Sequence, residues 1–217
     1  MILIPVKNLA TAKQRLASLF SQAVRTQLAQ AMFLDVLDAV AACSHRPSVS
    51  LVTSDPFAID AAQQFGFDVI PDNQNRSETD AIELATRTCE SRGVDSTLVI
   101  PADVPLITSS ELDMIFTNVP ERGSLLVPAA DGRGTNAAFR RPAALFPLRF
   151  GNDSFKPHLA TAKASGLPCT VISLSGIGLD IDNPSDLRKL VDAPGNTRAQ
   201  NLARQWDMTD LSLAANQ

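Results

Sequence analysis

At 217 residues, with 45% of positions hydrophobic and 19% charged, the chain is long enough to bury a core and too apolar for intrinsic disorder. Nineteen Lys and Arg against 23 Asp and Glu leave a formal charge of -4, and no basic run could neutralise the phosphates of a duplex, so nucleic acid is not expected as a partner. The opening apolar run meets Lys7 too soon for a secretory leader, and no stretch approaches the ~18 apolar residues of a membrane span, so a cytoplasmic protein without membrane contact is expected.

Residues 2–6 read as a first strand that ends in a polar loop. Apolar residues then recur at Leu28, Met32, Val36 and Val40, the spacing of one face of a long helix. Residues 49–53 are rich in β-formers, after which Asp55 and Pro56 supply a cap and a first-turn proline for a short helix that Gly66 can end. Residues 67–70 form a third predicted strand. Ile82, Ala85 and Cys89 lie at helical spacing and stop before Gly93, and residues 97–100 resume as a fourth strand, giving four β-α units. Further on, residues 125–127, 137–139 and 170–174 read as strands, a helix begins near Ser154, and the tail 207–217 is expected to fray. This alternation predicts a doubly wound α/β fold, with a mostly parallel sheet and helices on both faces, in one domain over 1–217. Cys43, Cys89 and Cys169 are too scattered for a disulfide framework or a zinc knuckle and read as buried apolar residues. Trp206 reads as a packing anchor, and His45 and His158 lack a Ser or Cys partner in any nucleophile motif.

Open α/β sheets bind ligands beyond the carboxyl ends of their strands, where strand order reverses. With strand order 3-2-1-4, the loop carrying Lys7, Lys13 and Arg15 would lie beside Pro101-Ala-Asp103-Val-Pro105. The first loop has neither GxGxxG nor a P-loop, so it offers mobile positive charge and backbone amides to a triphosphate, or else is only a solvated basic loop. Asp103, held at a strand end between prolines, suits magnesium or simply orders a turn. In Leu179-Asp180-Ile-Asp182-Asn-Pro184, an extended backbone would point Asp180 and Asp182 the same way. Capping of the helix begun by Pro184 explains part of that motif but not Asp180. Asp131-Gly-Arg-Gly-Thr135-Asn136 and Gly151-Asn-Asp-Ser154 read as anion-binding loops, with an ordinary turn and a helix cap as the alternatives.

Five pieces in order carry a more specific signal: Ile4-Pro-Val-Lys7 through Lys13-Gln-Arg15-Leu16, Ile100-Pro-Ala-Asp103-Val-Pro105-Leu106, Gly134-Thr135-Asn136, Phe150-Gly151-Asn-Asp-Ser154 and Asp180-Ile-Asp182-Asn-Pro184. Together they resemble the phospholactate, phosphoenolpyruvate and 3-phosphoglycerate guanylyltransferase family of deazaflavin coenzyme F(420) biosynthesis, over residues 2 to about 190. The resemblance implies a Rossmann-like nucleotidyltransferase fold of the nucleotide-diphospho-sugar transferase type. It also implies use of GTP with Mg2+ or Mn2+ to guanylylate a small phosphorylated carboxylic acid, releasing pyrophosphate. By the same resemblance Asp103 and Asp180, with Asp182, hold the metal, and Lys7, Lys13, Arg15 and Thr79 contact the nucleotide. Thr135, Gly151 and Ser154 match positions that hold the acceptor. Lys7, Lys13 and Asp103 are the expected catalytic residues.

The chain departs from the family at Glu78-Thr79-Asp80-Ala81, where many relatives have Leu-Asn before the Ala, and this departure leans the acceptor toward 3-phospho-D-glycerate. A phosphate monoester is largely dianionic at neutral pH, its second pKa being about 6, so it needs no general base to attack phosphorus. The rival readings are a cytidylyltransferase acting on a sugar or polyol phosphate, and a non-catalytic nucleotide-binding regulator. The sequence does not set the oligomeric state, and a homodimer is the assembly to test.

Overall fold

Short runs of β-formers separated by capped helices leave the inner strands buried on both faces and the two edge strands partly exposed. The computed structural model describes residues 1–74, 76–151 and 153–206, so the expectation for the tail 207–217 lies outside the described residues. The strands β1 (Ile2–Pro5), β2 (Val49–Thr53), β3 (Asp68–Pro71), β4 (Thr97–Val99), β5 (Gly123–Pro128), β6 (Thr135–Arg141) and β7 (Cys169–Val171) form one sheet in the order β3-β2-β1-β4-β6-β5-β7. The predicted order 3-2-1-4 is the first half of it. All pairs are parallel except those of β6 with β4 and with β5, so β6 alone runs against the rest. Its first residues, Thr135 and Asn136, therefore stand at the edge where the other strands end.

Among the described residues seven α-helices pack around the sheet: α1 (Gln22–Ala41), α2 (Pro56–Phe65), α3 (Glu78–Ser91), α4 (Ser109–Asn118), α5 (Phe155–Ala164), α6 (Pro184–Asp192) and α7 (Arg198–Ala203). Alternation along the strands sends Ile2, Ile4 and Leu51 to one face, against Phe33 and Leu37 of α1, Ala58 of α2 and Ile115 of α4. Leu3, Val52, Val99 and Ala138 take the other face, against Ile82 and Cys89 of α3 and Ala162 of α5. A third cluster joins Leu28 and Met32 of α1 to Leu187 and Leu190 of α6 and Ala203 of α7, and Leu16 and Ile181 are buried within it.

The pattern misses α4 and α7, although each carries a capping box, Thr108 with Glu111 and Thr197 with Gln200. The last strand is shorter than the predicted 170–174. Ile172 still donates to the Leu126 carbonyl, but the chain then turns so that the Gly176 amide reaches Glu111 Oε1 at 2.7 Å. Cys43 and Cys89 are buried as expected, whereas Cys169 is half-buried in the outermost strand, β7. Trp206 packs on Phe20 with ring centroids 4.5 Å apart. No helix among the described residues is long and apolar enough to cross a membrane.

Candidate active site

The loop after β1 is drawn into two short turns, Leu9–Thr11 and Gln14–Leu16. Asp55 pins it: one carboxylate oxygen caps α2 through the Ala58 amide at 3.1 Å, and the other accepts from the Leu9 amide at 2.9 Å. Lys13 lies between the turns in the left-handed region, φ 56° and ψ 46°, a conformation that costs a non-glycine residue about 1–3 kcal/mol. Its ammonium compensates by lying 2.6 Å from Asp103 Oδ2 and 3.1 Å from Asp182 Oδ1, with only 8% of the side chain exposed. Burial alone would lower the Lys13 pKa, and the two carboxylates more than reverse that, leaving it raised. Arg15 reaches the other Asp182 oxygen at 3.2 Å, and Lys7 pairs with Asp72 at 3.0 Å.

The two acidic stretches meet through the backbone. The Ile181 amide donates to the Asp103 carbonyl at 3.1 Å, and the buried Ile181 side chain turns its neighbours Asp180 and Asp182 the other way, into the crevice. Asn136 donates to Asp180 Oδ1 at 3.0 Å and to the Ile177 carbonyl at 2.9 Å, so the start of β6 fixes Asp180. Burial pushes the Asp180 carboxyl up, the Asn136 hydrogen bond offsets part of this, and the charges of Asp103 and Asp182 add to the rise. Asn183 caps α6, which accounts for that residue and leaves Asp180 and Asp182 to the crevice.

Two chambers open here. One, of about 640 Å³, is lined by Lys7, Lys13, Arg15 and Arg76; the other, of about 370 Å³, by Thr135, Gly151, Ser154 and Asp180. They share Arg15, Glu78, Pro101, Asp103 and Asp182 as a common wall. Glu78, on the first turn of α3, is pushed up to about 7 by burial and by the charges of Asp103 and Asp182, against the pull of Lys13 and Lys7.

In the smaller chamber Ser154 stands at the N-cap position of α5 but makes no capping bond with its side chain. Its hydroxyl instead accepts from the Thr135 amide at 3.1 Å and donates to Thr135 Oγ1 at 3.4 Å. Gly151, at φ 143°, occupies backbone space that a side chain would resist, and Asn152 lies outside the described residues. His158, buried beneath, bonds Thr135 Oγ1 through Nδ1 at 2.9 Å.

Thus the structure gathers Lys7, Lys13, Arg15, Asp103, Thr135, Gly151, Ser154, Asp180 and Asp182 around one crevice. Thr79 stands apart. It lines a neighbouring cavity, and its hydroxyl accepts from the Phe150 amide at 3.0 Å and donates to the Phe150 carbonyl at 3.4 Å. Three contributors were missed in the sequence reading: Glu78, Asn136 as the holder of Asp180, and His158. The first follows from rules already in use, since the N-terminus of a helix after a strand faces the carboxyl edge of the sheet. His158 gave no signal, because its partner Thr135 is 23 positions away. Among the described residues no group of three or more His, Cys, Asp or Glu is placed to hold a metal ion.

The sheet order, the reversed sixth strand and the lysine-bridged aspartates place a charged crevice at the strand ends of an open α/β sheet, where such folds bind ligands. The fold has close likenesses among solved structures. A Desulfovibrio desulfuricans protein, whose assignment as a nucleotide-diphospho-sugar transferase is provisional, superposes with a TM-score of 0.78 at 17% identity, covering 98% of this chain and 96% of that one. A CMP:2-keto-3-deoxy-manno-octonic acid synthetase complexed with CTP gives 0.59 at 13% identity, with 95% and 99% covered. The chain belongs to the family described as guanylyl transferase CofC like, whose model matches residues 1–211. It is 35% identical to a phosphoenolpyruvate guanylyltransferase of Sphaerobacter thermophilus over 86% of this chain and 90% of that protein. It is 29% identical to a 2-phospho-L-lactate guanylyltransferase of Methanothermobacter thermautotrophicus over 95% and 91%. Membership in a guanylyltransferase family sets aside the cytidylyltransferase and non-catalytic alternatives.

Proposed function

We propose that the protein transfers GMP from GTP to a three-carbon phosphorylated carboxylic acid, as a step of coenzyme F(420) biosynthesis. The observation that carries this reading is the pair of chambers meeting at Asp103 and Asp182, the larger lined by Lys7, Lys13, Arg15 and Arg76 and the smaller by the hydroxyls of Thr135 and Ser154 among charged side chains that include Asp180, Arg133 and Lys189. Lys7, Lys13 and Arg15 take the triphosphate in the larger chamber. Thr135, the Gly151 backbone and Ser154 take the acid in the smaller. An oxygen of the acceptor's phosphate attacks the α-phosphorus of GTP, the new O–P bond forms, the bond to the β-phosphate bridge breaks, and pyrophosphate leaves with that electron pair. No proton need be removed from the nucleophile at neutral pH. The obstacle is repulsion between anions, and Arg15 in the common wall and Lys13, bound to that wall's Asp103 and Asp182, oppose it.

The donor set fits Mg2+ or Mn2+. Such an ion takes one or two protein carboxylates and completes its shell with phosphate oxygens and water, so it needs no cage of three protein ligands. Asp103 and Asp180 face the smaller chamber; burial first, and then the charges of Asp103 and Asp182, raise the Asp180 pKa, and a divalent ion would offset the charge part. Asp182 is the third candidate ligand, though it already serves Lys13 and Arg15. When bound, the ion would supply charge neutralisation at the reacting phosphates.

Among acceptors we place 3-phospho-D-glycerate first. Glu78 in the common wall can accept a hydrogen bond from the free hydroxyl that phosphoenolpyruvate and 2-phospho-L-lactate lack. The names of the relatives support the other two acids and make them arms of the test. Pyrophosphate release is measured with each of four nucleoside triphosphates and each of three phosphoacids, with and without Mg2+. The expected result is turnover with GTP and 3-phospho-D-glycerate that needs the metal. Preference for CTP would overturn the nucleotide assignment, and release with phosphoenolpyruvate alone would overturn the acceptor. Glu78→Leu should cut the 3-phospho-D-glycerate preference by about tenfold, the scale of one lost hydrogen bond.

A further inference from the structure

His158 lies beneath the smaller chamber, 2% exposed, between two fixed partners. Its Nε2 lies 2.8 Å from the Arg149 backbone nitrogen, and an amide N–H can only donate, so Nε2 carries no proton. In the neutral ring the proton is therefore on Nδ1, which lies 2.9 Å from Thr135 Oγ1. Thr135 is the acceptor of that bond, and it accepts again from Ser154. With its oxygen so engaged, the hydroxyl has its own proton left to give, and it lines the chamber.

We propose that His158 is a positioning residue that fixes the Thr135 hydroxyl as a hydrogen-bond donor to the anionic group of the acceptor. The inference rests on the reading of Thr135 as an acceptor contact. A histidine beside an anion site suggests a cationic ligand, but the Arg149 amide excludes that form, since an imidazolium would set N–H against N–H. Burial and the nearby Arg140 charge also lower the His158 pKa to about 4. The ring ties the chamber's walls together: β6 through Thr135, and the loop before α5 through Arg149 and an edge-on contact with Phe150 at 5.4 Å. That loop is bound in turn to α3 by Thr79.

Two measurements test it. Ring-nitrogen NMR of the intact protein near neutral pH should show His158 protonated on Nδ1, its signals assigned by their loss in His158→Gln; a proton on Nε2 would overturn the proposal. In kinetics, Thr135→Val should raise the acceptor KM about tenfold and leave the GTP KM unchanged. His158→Leu should raise the acceptor KM about fivefold alone and add nothing in the Thr135→Val background. His158→Gln, whose amide can accept from Arg149 and donate to Thr135, should recover most of the loss. If Thr135→Val leaves the acceptor KM unchanged, the acceptor reading fails. If it raises KM while His158→Leu does not, or if His158→Leu still acts in the double variant, the positioning role alone fails.

Discussion

The two chambers are lined with different chemistry. The larger one places formal charges on long side chains and balances them against carboxylates, with Lys13 held by Asp103 and Asp182 and Lys7 by Asp72. The smaller one, beneath a charged rim that includes Arg133, Lys189 and Asp180, buries two neutral hydroxyls, Thr135 and Ser154, and locks them to each other and to His158. Charge is long-ranged and tolerant of position, which suits a flexible polyphosphate. Fixed neutral donors are short-ranged and exacting, which suits choosing among small acids that differ by a hydroxyl or a methyl.

The sharpest way to break this contrast is at the wall the chambers share. Asp103→Asn should reduce turnover by roughly 10³-fold, the scale of losing a preorganised transition-state contact, while circular dichroism shows the fold intact. Pyrophosphate release within tenfold of the parent would remove Asp103 from the reaction. Lys13→Gln should cost about 10²-fold, falling mainly on kcat and the GTP KM with the acceptor KM little changed; a loss confined to the acceptor would reverse the assignment of the chambers. The smallest effect concerns stability. Because the native His158 pKa is depressed from 6.5 to about 4, the unfolded state binds this proton first as pH falls, so native stability is lost between about 6.5 and 4. His158→Gln should flatten that part of the denaturation midpoint against pH, and an unaltered slope would contradict the buried neutral ring.

Much of the site could be read in advance because its parts sit where the fold places chemistry. Lys13 and Asp103 follow β1 and β4, adjacent parallel strands, so the strand order alone brought them together. Asp180 and Asp182 were legible as a pair because an extended backbone alternates, and the buried Ile181 between them provides the physical cause. What escaped were relations that no local pattern encodes. The reversal of β6 puts Thr135 and Asn136 on the crevice side, yet a three-residue apolar run says nothing of direction. Glu78 looked like a departure from the family pattern rather than part of the wall. The helix α4 was missed despite its Thr108 and Glu111 box, and Glu111 is the residue that holds the Gly176 amide on the way to Asp180.

The hairpin between β5 and β6 spans only residues 129–134, closed by the Ala129 amide on the Gly134 carbonyl at 2.9 Å and stiffened by Asp131, which accepts from the Arg133 amide at 2.8 Å. It overhangs the smaller chamber and does not line the larger. On the assignment of the chambers proposed above, a lengthened or shortened tip would retune which acid enters while leaving the nucleotide side untouched.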